Sequence, residues 1–183
     1  MLENDIFSKY SSLFEIPQDL IYLDGNSLGP LPRAAAAELS NVVHGEWGKL
    51  LIKGWNQSGW MNQPETLGDD IAELIGAEKK CITVGDNLSL KVYQALYSAL
   101  QIANSDGVVL SDEGNFPSDI YIANSLLKQK NMPPVRLVKT DELESEIQKG
   151  DVSVLMLTQV DYRTGSVHNM SKLTSLAKKN GIV

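Results

Sequence analysis

Apolar residues recur along this chain first at helical spacing and then, from about residue 80, in short apolar runs that alternate with helical stretches. Phe7, Tyr10, Leu13 and Phe14 stand at helical spacing and predict a helix within residues 1–20 that ends near Pro17. Residues 21–23 form a short apolar run, stopped by the turn formers Asp24, Gly25, Asn26 and Ser27. Beyond Pro30 and Pro32 a helix opens with four alanines and is expected over residues 33–51. Residues 54–64 read as irregular and hold Trp55 and Trp60. A second helix follows over 65–75 and closes at Gly76.

From there the pattern is that of an α/β domain, with helices packed on a mostly parallel sheet. Strands are expected at 80–84, 107–111, 136–138 and 152–158, and helices at 88–102, 118–130, 141–148 and 171–180. Gly181, Ile182 and Val183 read as a strand that has only begun, so a sheet made of these strands alone has an unfilled position and an edge open to another chain. There is no internal repeat, low-complexity tract or dividing linker.

Composition narrows the functions that fit. The 23 acidic against 16 basic side chains give a formal charge of −7, which disfavours nucleic acid and anionic membranes and favours a small polar metabolite. Cys81 is the one cysteine, so no intrachain disulfide or cysteine-based zinc site can form. Its place in an apolar run predicts a core residue in a reducing compartment. The first ten residues lack the basic and apolar regions of a leader, and no stretch reaches the ~18 apolar residues of a spanning helix, so a cytoplasmic protein is expected. His44 and His168 lie far apart, which argues against a histidine metal site.

Two strand-to-helix junctions carry candidate chemistry. After strand 80–84, Gly85, Asp86, Asn87, Leu88 and Ser89 open a helix. Unpaired N–H groups and the Ser89 hydroxyl there suit a phosphate. The plainer alternative is an ordinary cap by Asn87 or Ser89. After strand 107–111, the residues from Ser111 to Asp119 again open a helix, placing Phe116 and a carboxylate at the sheet edge where ligands bind in open α/β folds. Phe116 can stack on a planar heterocycle with Pro117 fixing its loop. Equally, it can be a hydrophobic staple, with Ser118 or Asp119 as the cap.

Together with Tyr22-Leu23-Asp24-Gly25-Asn26-Ser27-Leu28-Gly29-Pro30, the run 47–60 and Val160-Asp161-Tyr162-Arg163-Thr164-Gly165, these blocks resemble the kynureninase family in order and spacing over nearly the whole chain. The resemblance implies the large domain of a fold-type-I, aspartate-aminotransferase-like enzyme dependent on pyridoxal 5′-phosphate (PLP). Residues 1–64 would be a helical and irregular segment serving the substrate site and dimer contacts, and 65–183 the first part of the cofactor domain. It further implies that Leu88 and Ser89 form a phosphate cup and that Phe116 stacks on the cofactor ring within a loop completed by Pro117, Ser118 and Asp119. Ser27 and Trp55 fall at substrate-side positions. On their own, Ser27 could be a turn residue, and Trp55 and Trp60 core or interface aromatics. The turn at Tyr162 to Gly165 shapes the site, with Arg163 read as a solvated turn residue. His168 matches a family His-Asp-Met run in which this chain has Asn169, a change expected to alter a helix cap.

The family reaction hydrolyses kynurenine, or its 3-hydroxy derivative, to anthranilate (or 3-hydroxyanthranilate) and alanine, in a homodimer. The lysine that holds the cofactor and the aspartate at its ring nitrogen belong to positions beyond Val183, so no catalytic residue is expected here and the chain alone should be inactive. A different expectation is a non-catalytic truncated or split protein of the same fold that acts by association with another chain. A cysteine-desulfurase-like or aminotransferase-like enzyme fits less well, because the blocks at 25–29 and 116–119 are particular to kynureninases among their relatives.

Overall fold

The computed structural model describes residues 8–103 and 107–183. The chain forms two compact units, divided between Gly85 and Asp86.

The first unit is mainly helical. A short helix, α1 (Ser8–Ser11), leads into a two-residue ribbon in which β1 (Phe14–Glu15) pairs antiparallel with β2 (Leu31–Pro32). Of the helix expected across residues 1–20, the described part is one turn that gives way to the ribbon at Phe14, while residues 1–7, Phe7 among them, lie outside the described residues. The Leu13 N–H donates to the Tyr10 carbonyl, closing the turn, and the next backbone groups are taken by the ribbon. The expected helix over 33–51 is present as α2 (Arg33–Asn41), a π-helical turn at Val42–Trp47, and α3 (Gly48–Leu50). A 3-10 turn follows at Leu51–Lys53, and α4 (Gly54–Gln57) adds helical order to the 54–64 stretch read as irregular. Next comes α5 (Gln63–Ile75), with Pro64 in its first turn and Gly76 closing it at φ 72°.

The strand expected at 80–84 does not form. That segment lies against α5: the Lys80 N–H donates to Asp69 Oδ1 at 2.6 Å and the Val84 N–H to the Pro64 carbonyl at 3.1 Å. Gly68 allows the approach, because a Cβ there would sit 2.1 Å from the Ile82 carbonyl oxygen. The Lys80 and Val84 N–H groups go to α5 and that of Cys81 to the Glu78 carbonyl, which ties both ends of the segment down away from the sheet, and Cys81, expected in the core, is exposed.

The second unit is a three-layer α/β fold. It runs α6 (Leu88–Ile102), β3 (Val108–Asp112), α7 (Pro117–Gln129), β4 (Arg136–Val138), α8 (Leu143–Ile147) behind a 3-10 turn, β5 (Val152–Leu155) and α9 (Met170–Lys179). The strands are parallel in the order β4-β3-β5. Alternation along β3 sends Val109 to a core shared with Leu96 of α6 and Leu126 and Leu127 of α7, and Leu110 to one shared with Leu143 and Ile147 of α8 and Leu173 of α9. A register shift between Val108 and Val109 lets Val152 and Val154 of β5 serve opposite faces. Gly107 is required beside it, since a Cβ would meet the Asp151 carbonyl oxygen at 2.6 Å. The incipient strand at 181–183 is seen: the Val183 N–H donates to the Ser153 carbonyl and its carbonyl accepts from the Leu155 N–H, on the outer edge of β5. β5 itself stops at Leu155, short of the expected 158; Met156 still donates to the Leu110 carbonyl before the chain turns away.

Candidate functional site

In the second unit, the amino-terminal turn of α6 and the junction from β3 into α7 bear the expected cofactor residues. Asn87 caps α6, its Oδ1 accepting from the Leu90 N–H at 3.0 Å, and the first helical backbone bond runs from Lys91 to the Asn87 carbonyl. Of the two caps considered, Asn87 is the one used. Among the described residues the N–H groups of Leu88 and Ser89 and the Ser89 hydroxyl then have no protein partner, and both residues are exposed. Asp86, beside them, has its carboxylate 3.3 Å from Lys91 Nζ, so the local anion is paired.

Phe116 is the boundary residue of α7, with Pro117, Ser118 and Asp119 filling its first turn. Neither Ser118 nor Asp119 caps the helix, as one reading supposed. They lie inside it, and the Ser118 hydroxyl donates to Asp119 Oδ1 at 3.1 Å. Asp119 is buried at the positive end of the helix dipole. The Phe116 N–H donates to Asn115 Oδ1 at 2.7 Å, and the same oxygen accepts from the Thr158 hydroxyl at 2.7 Å. The Asn115 amide also donates to Ser111 Oγ at 2.9 Å. Phe116 is 44% exposed as a residue, and its ring meets Tyr162 edge-on, with centroids 4.8 Å apart and planes at 65°.

Tyr162 sits at the tip of a small hairpin over residues 159–168, closed by a bridge between Val160 and Val167 and by the Asp161 N–H donating to the Ser166 carbonyl. The Asp161 carboxylate accepts from the N–H groups of Thr164 and Arg163 and pairs with the Arg163 guanidinium at 3.2 Å. These contacts, backbone first, hold its pKa down at about 2. Arg163 is thus a turn residue tied to its own hairpin. At the hairpin base, His168 Nε2 lies 2.6 Å from Asp112 Oδ2, with both side chains buried. Asn169 caps α9, its Oδ1 accepting from the Lys172 N–H. The Asp112–His168 pair and the Asn115–Thr158 link were missed in sequence. Their members are 56 and 43 residues apart, and the one available signal was a carboxylate ending a buried strand.

The substrate-side candidates lie in the first unit. Ser27 is a turn residue here, its hydroxyl donating to Asp24 Oδ1 at 2.7 Å. Trp55 meets Trp60 edge-on at 5.9 Å and with it lines an open apolar hollow of about 620 Å³, shared with Trp47, Val42, Leu67 and Val84. The Trp60 indole donates to Glu46 Oε2 at 2.6 Å and packs flat on Gly54. Among the described residues no group of acidic, histidine or cysteine side chains could hold a metal ion, and no helix is long and apolar enough to cross a membrane.

No family model matches the sequence. Curated relatives do. The kynureninase of Deinococcus radiodurans is 41% identical over 175 residues, covering 93% of this chain and 42% of the relative. That of Burkholderia mallei is 38% identical over 173 residues, covering 92% and 42%. The chain therefore spans about two fifths of the length of the curated relatives it matches. Among solved structures, the cysteine desulfurase CsdA of Escherichia coli has a TM-score of 0.74 at 15% identity, over 96% of this chain and 47% of its own. A mutant of C-DES with glycine covalently linked to its PLP cofactor has a TM-score of 0.72 at 14% identity, over 96% and 46%. At such identities the likeness speaks for the fold, that of fold-type-I PLP enzymes. Along nearly all of its residues the chain is thus similar in sequence to kynureninases, of whose length it spans 42%, and it carries the fold-type-I architecture.

Proposed function

We propose that the chain supplies the phosphate-binding turn and ring-stacking face of a PLP site in a kynureninase-type enzyme. The observation that carries this is the first turn of α6. Asn87 meets the helix's own need for a cap, leaving two N–H groups and the Ser89 hydroxyl to donate to a dianionic phosphate that the helix dipole also favours. The exposed Phe116 ring, held by Tyr162 at one edge, offers an open face to a planar heterocycle. These residues fit the cofactor without any free basic side chain.

Within that reading, Leu88 and Ser89 orient the phosphate, Phe116 fixes the ring plane, and Pro117, Ser118 and Asp119 line the loop. When bound, PLP supplies the electron sink needed to break a carbon–carbon bond next to an amino acid's β carbon. Ser27 and Trp55, on residues 1–64, face the substrate, with Trp55 presenting an apolar wall to an aryl ring. The whole enzyme would hydrolyse L-kynurenine, or 3-hydroxykynurenine, to the corresponding anthranilate and L-alanine, as a cytoplasmic homodimer in tryptophan breakdown towards NAD. None of the thirteen lysines stands at the family's cofactor-holding position. By themselves the 183 residues bind PLP reversibly and weakly and turn over no kynurenine.

The test is equilibrium dialysis against PLP, followed by borohydride and peptide mapping, with a parallel assay for anthranilate release. Ser89→Leu should weaken binding about tenfold or more, since a hydrogen bond to a charged group contributes roughly 1.5–3 kcal/mol. Unchanged binding refutes the phosphate assignment, and cofactor fixed to one specific lysine refutes reversible binding.

A further inference from the structure

We propose that Asp112 and His168 are positioning residues for the cofactor ring, acting through the 159–168 hairpin to hold Tyr162 against Phe116. Asp112 is the last residue of β3, its side chain 5% exposed, and its carboxylate is matched by His168 Nε2 at 2.6 Å. Completing the core does not call for this pair. Well-packed apolar residues at two buried positions commonly stabilise a fold as well or better, whereas a hydrogen-bonded buried pair accepts one geometry. The pair therefore contributes placement.

What it places is specific. His168 is the junction between the hairpin, where its N–H donates to the Gln159 carbonyl, and α9, which begins beyond the Asn169 cap. Pinning it to the end of β3 fixes the hairpin base beside the loop that carries Phe116. At the tip, the Asp161 carboxylate gathers the Arg163 and Thr164 N–H groups, so the backbone on both sides of Tyr162 is set. Gly114 lets the tip close in, because any Cβ there would lie 2.6 Å from Asp161 Oδ2. Phe116 has its backbone fixed by Asn115, but its half-exposed ring meets one aromatic neighbour, Tyr162. Remove the anchor and the Phe116 ring regains its rotamers. A stacking face then has to be ordered by the ligand itself.

The second arm of the test rests on the cofactor reading; the first does not. In the labelled chain without ligand, ring-to-ring NOEs between Phe116 and Tyr162 are compared in wild type, His168→Gln, whose amide nitrogen can occupy the Nε2 position, and His168→Leu. His168→Asn, too short to reach Asp112, substitutes for the leucine variant should that fail to fold. The NOEs should persist in wild type and the glutamine variant and vanish in the leucine or asparagine variant. PLP and inorganic phosphate are then titrated separately. The loss of the anchor should weaken PLP about fivefold, the scale of one ordered aromatic contact, and leave phosphate unchanged, with glutamine restoring PLP. Persistence of the NOEs without a reachable residue 168 overturns the proposal, and so does a parallel loss of PLP and phosphate binding, which would mark a general structural staple. If wild type binds no PLP, the cofactor reading falls and the NOEs alone decide the positioning role.

Discussion

Replacing Gly114 by alanine puts one methyl group where two loops meet. The added Cβ would lie 2.6 Å from Asp161 Oδ2, with Arg163 Nη2 at 3.5 Å and Asp112 Oδ2 at 3.7 Å. Gly114 has no left-handed backbone, so the substitution brings no strain of that kind, and steric contact is the whole effect. Ordinary contact needs roughly 0.8 Å more room. The oxygen cannot drift freely, because the same carboxylate accepts from two N–H groups and the Arg163 guanidinium. Overpacking of this kind costs about 1–3 kcal/mol, and the exposed rim of the site argues for the lower half of that range. Urea denaturation should show a loss of ~1–2 kcal/mol for Gly114→Ala. Once Asp161 is shortened to alanine, the methyl has space, so the double variant should be more stable than the sum of the single losses by at least about 1 kcal/mol. Additivity within about 0.5 kcal/mol would refute the proposed close approach.

Leu126→Ala removes a fully buried side chain between α7 and the sheet and should cost about 2–5 kcal/mol by the same denaturation assay; a loss under about 1 kcal/mol would mean that the α7 face is not packed as described. Asp161 titrates near 2 when folded, below its ordinary 3.8, so its contribution to stability is complete above about pH 4 and disappears as pH falls towards 2. Asp161→Asn should accordingly flatten the melting temperature against pH in that window, and an unchanged slope would contradict the hydrogen bonding at the hairpin tip. Gly68→Ala drives a methyl into the Ile82 carbonyl and should lift residues 80–84 from α5; trypsin cleavage after Lys79 or Lys80 should accelerate, and equal cleavage rates would argue against the packing.

The sequence was most legible where an element carries its own punctuation. Helix α6 and strand β4 fall on their expected residues, 88–102 and 136–138, because Asn87 caps the one and turn residues bound the other. Gly76 ends α5 for the same local reason. Residues 80–84 misled because an apolar run shows that a segment is covered, not what covers it. Gly68, in the middle of a helix, was the sign of a close backbone approach. Around the site, the residues of each loop were readable as contiguous blocks. Their partners were not: Asp112 with His168, Asn115 with Thr158 and Gly114 with Asp161 join stretches that only the parallel sheet brings together.

In the proposed function, the first turn of α6 and the face of Phe116 receive a phosphorylated pyridine. Amide and aromatic chemical shifts of the labelled chain, followed during titration with PLP, test it residue by residue. The largest movements are expected at the Leu88 and Ser89 amides and on the Phe116 ring, with inorganic phosphate reproducing the first set alone. Shifts that leave all three unmoved while other surfaces respond would contradict it.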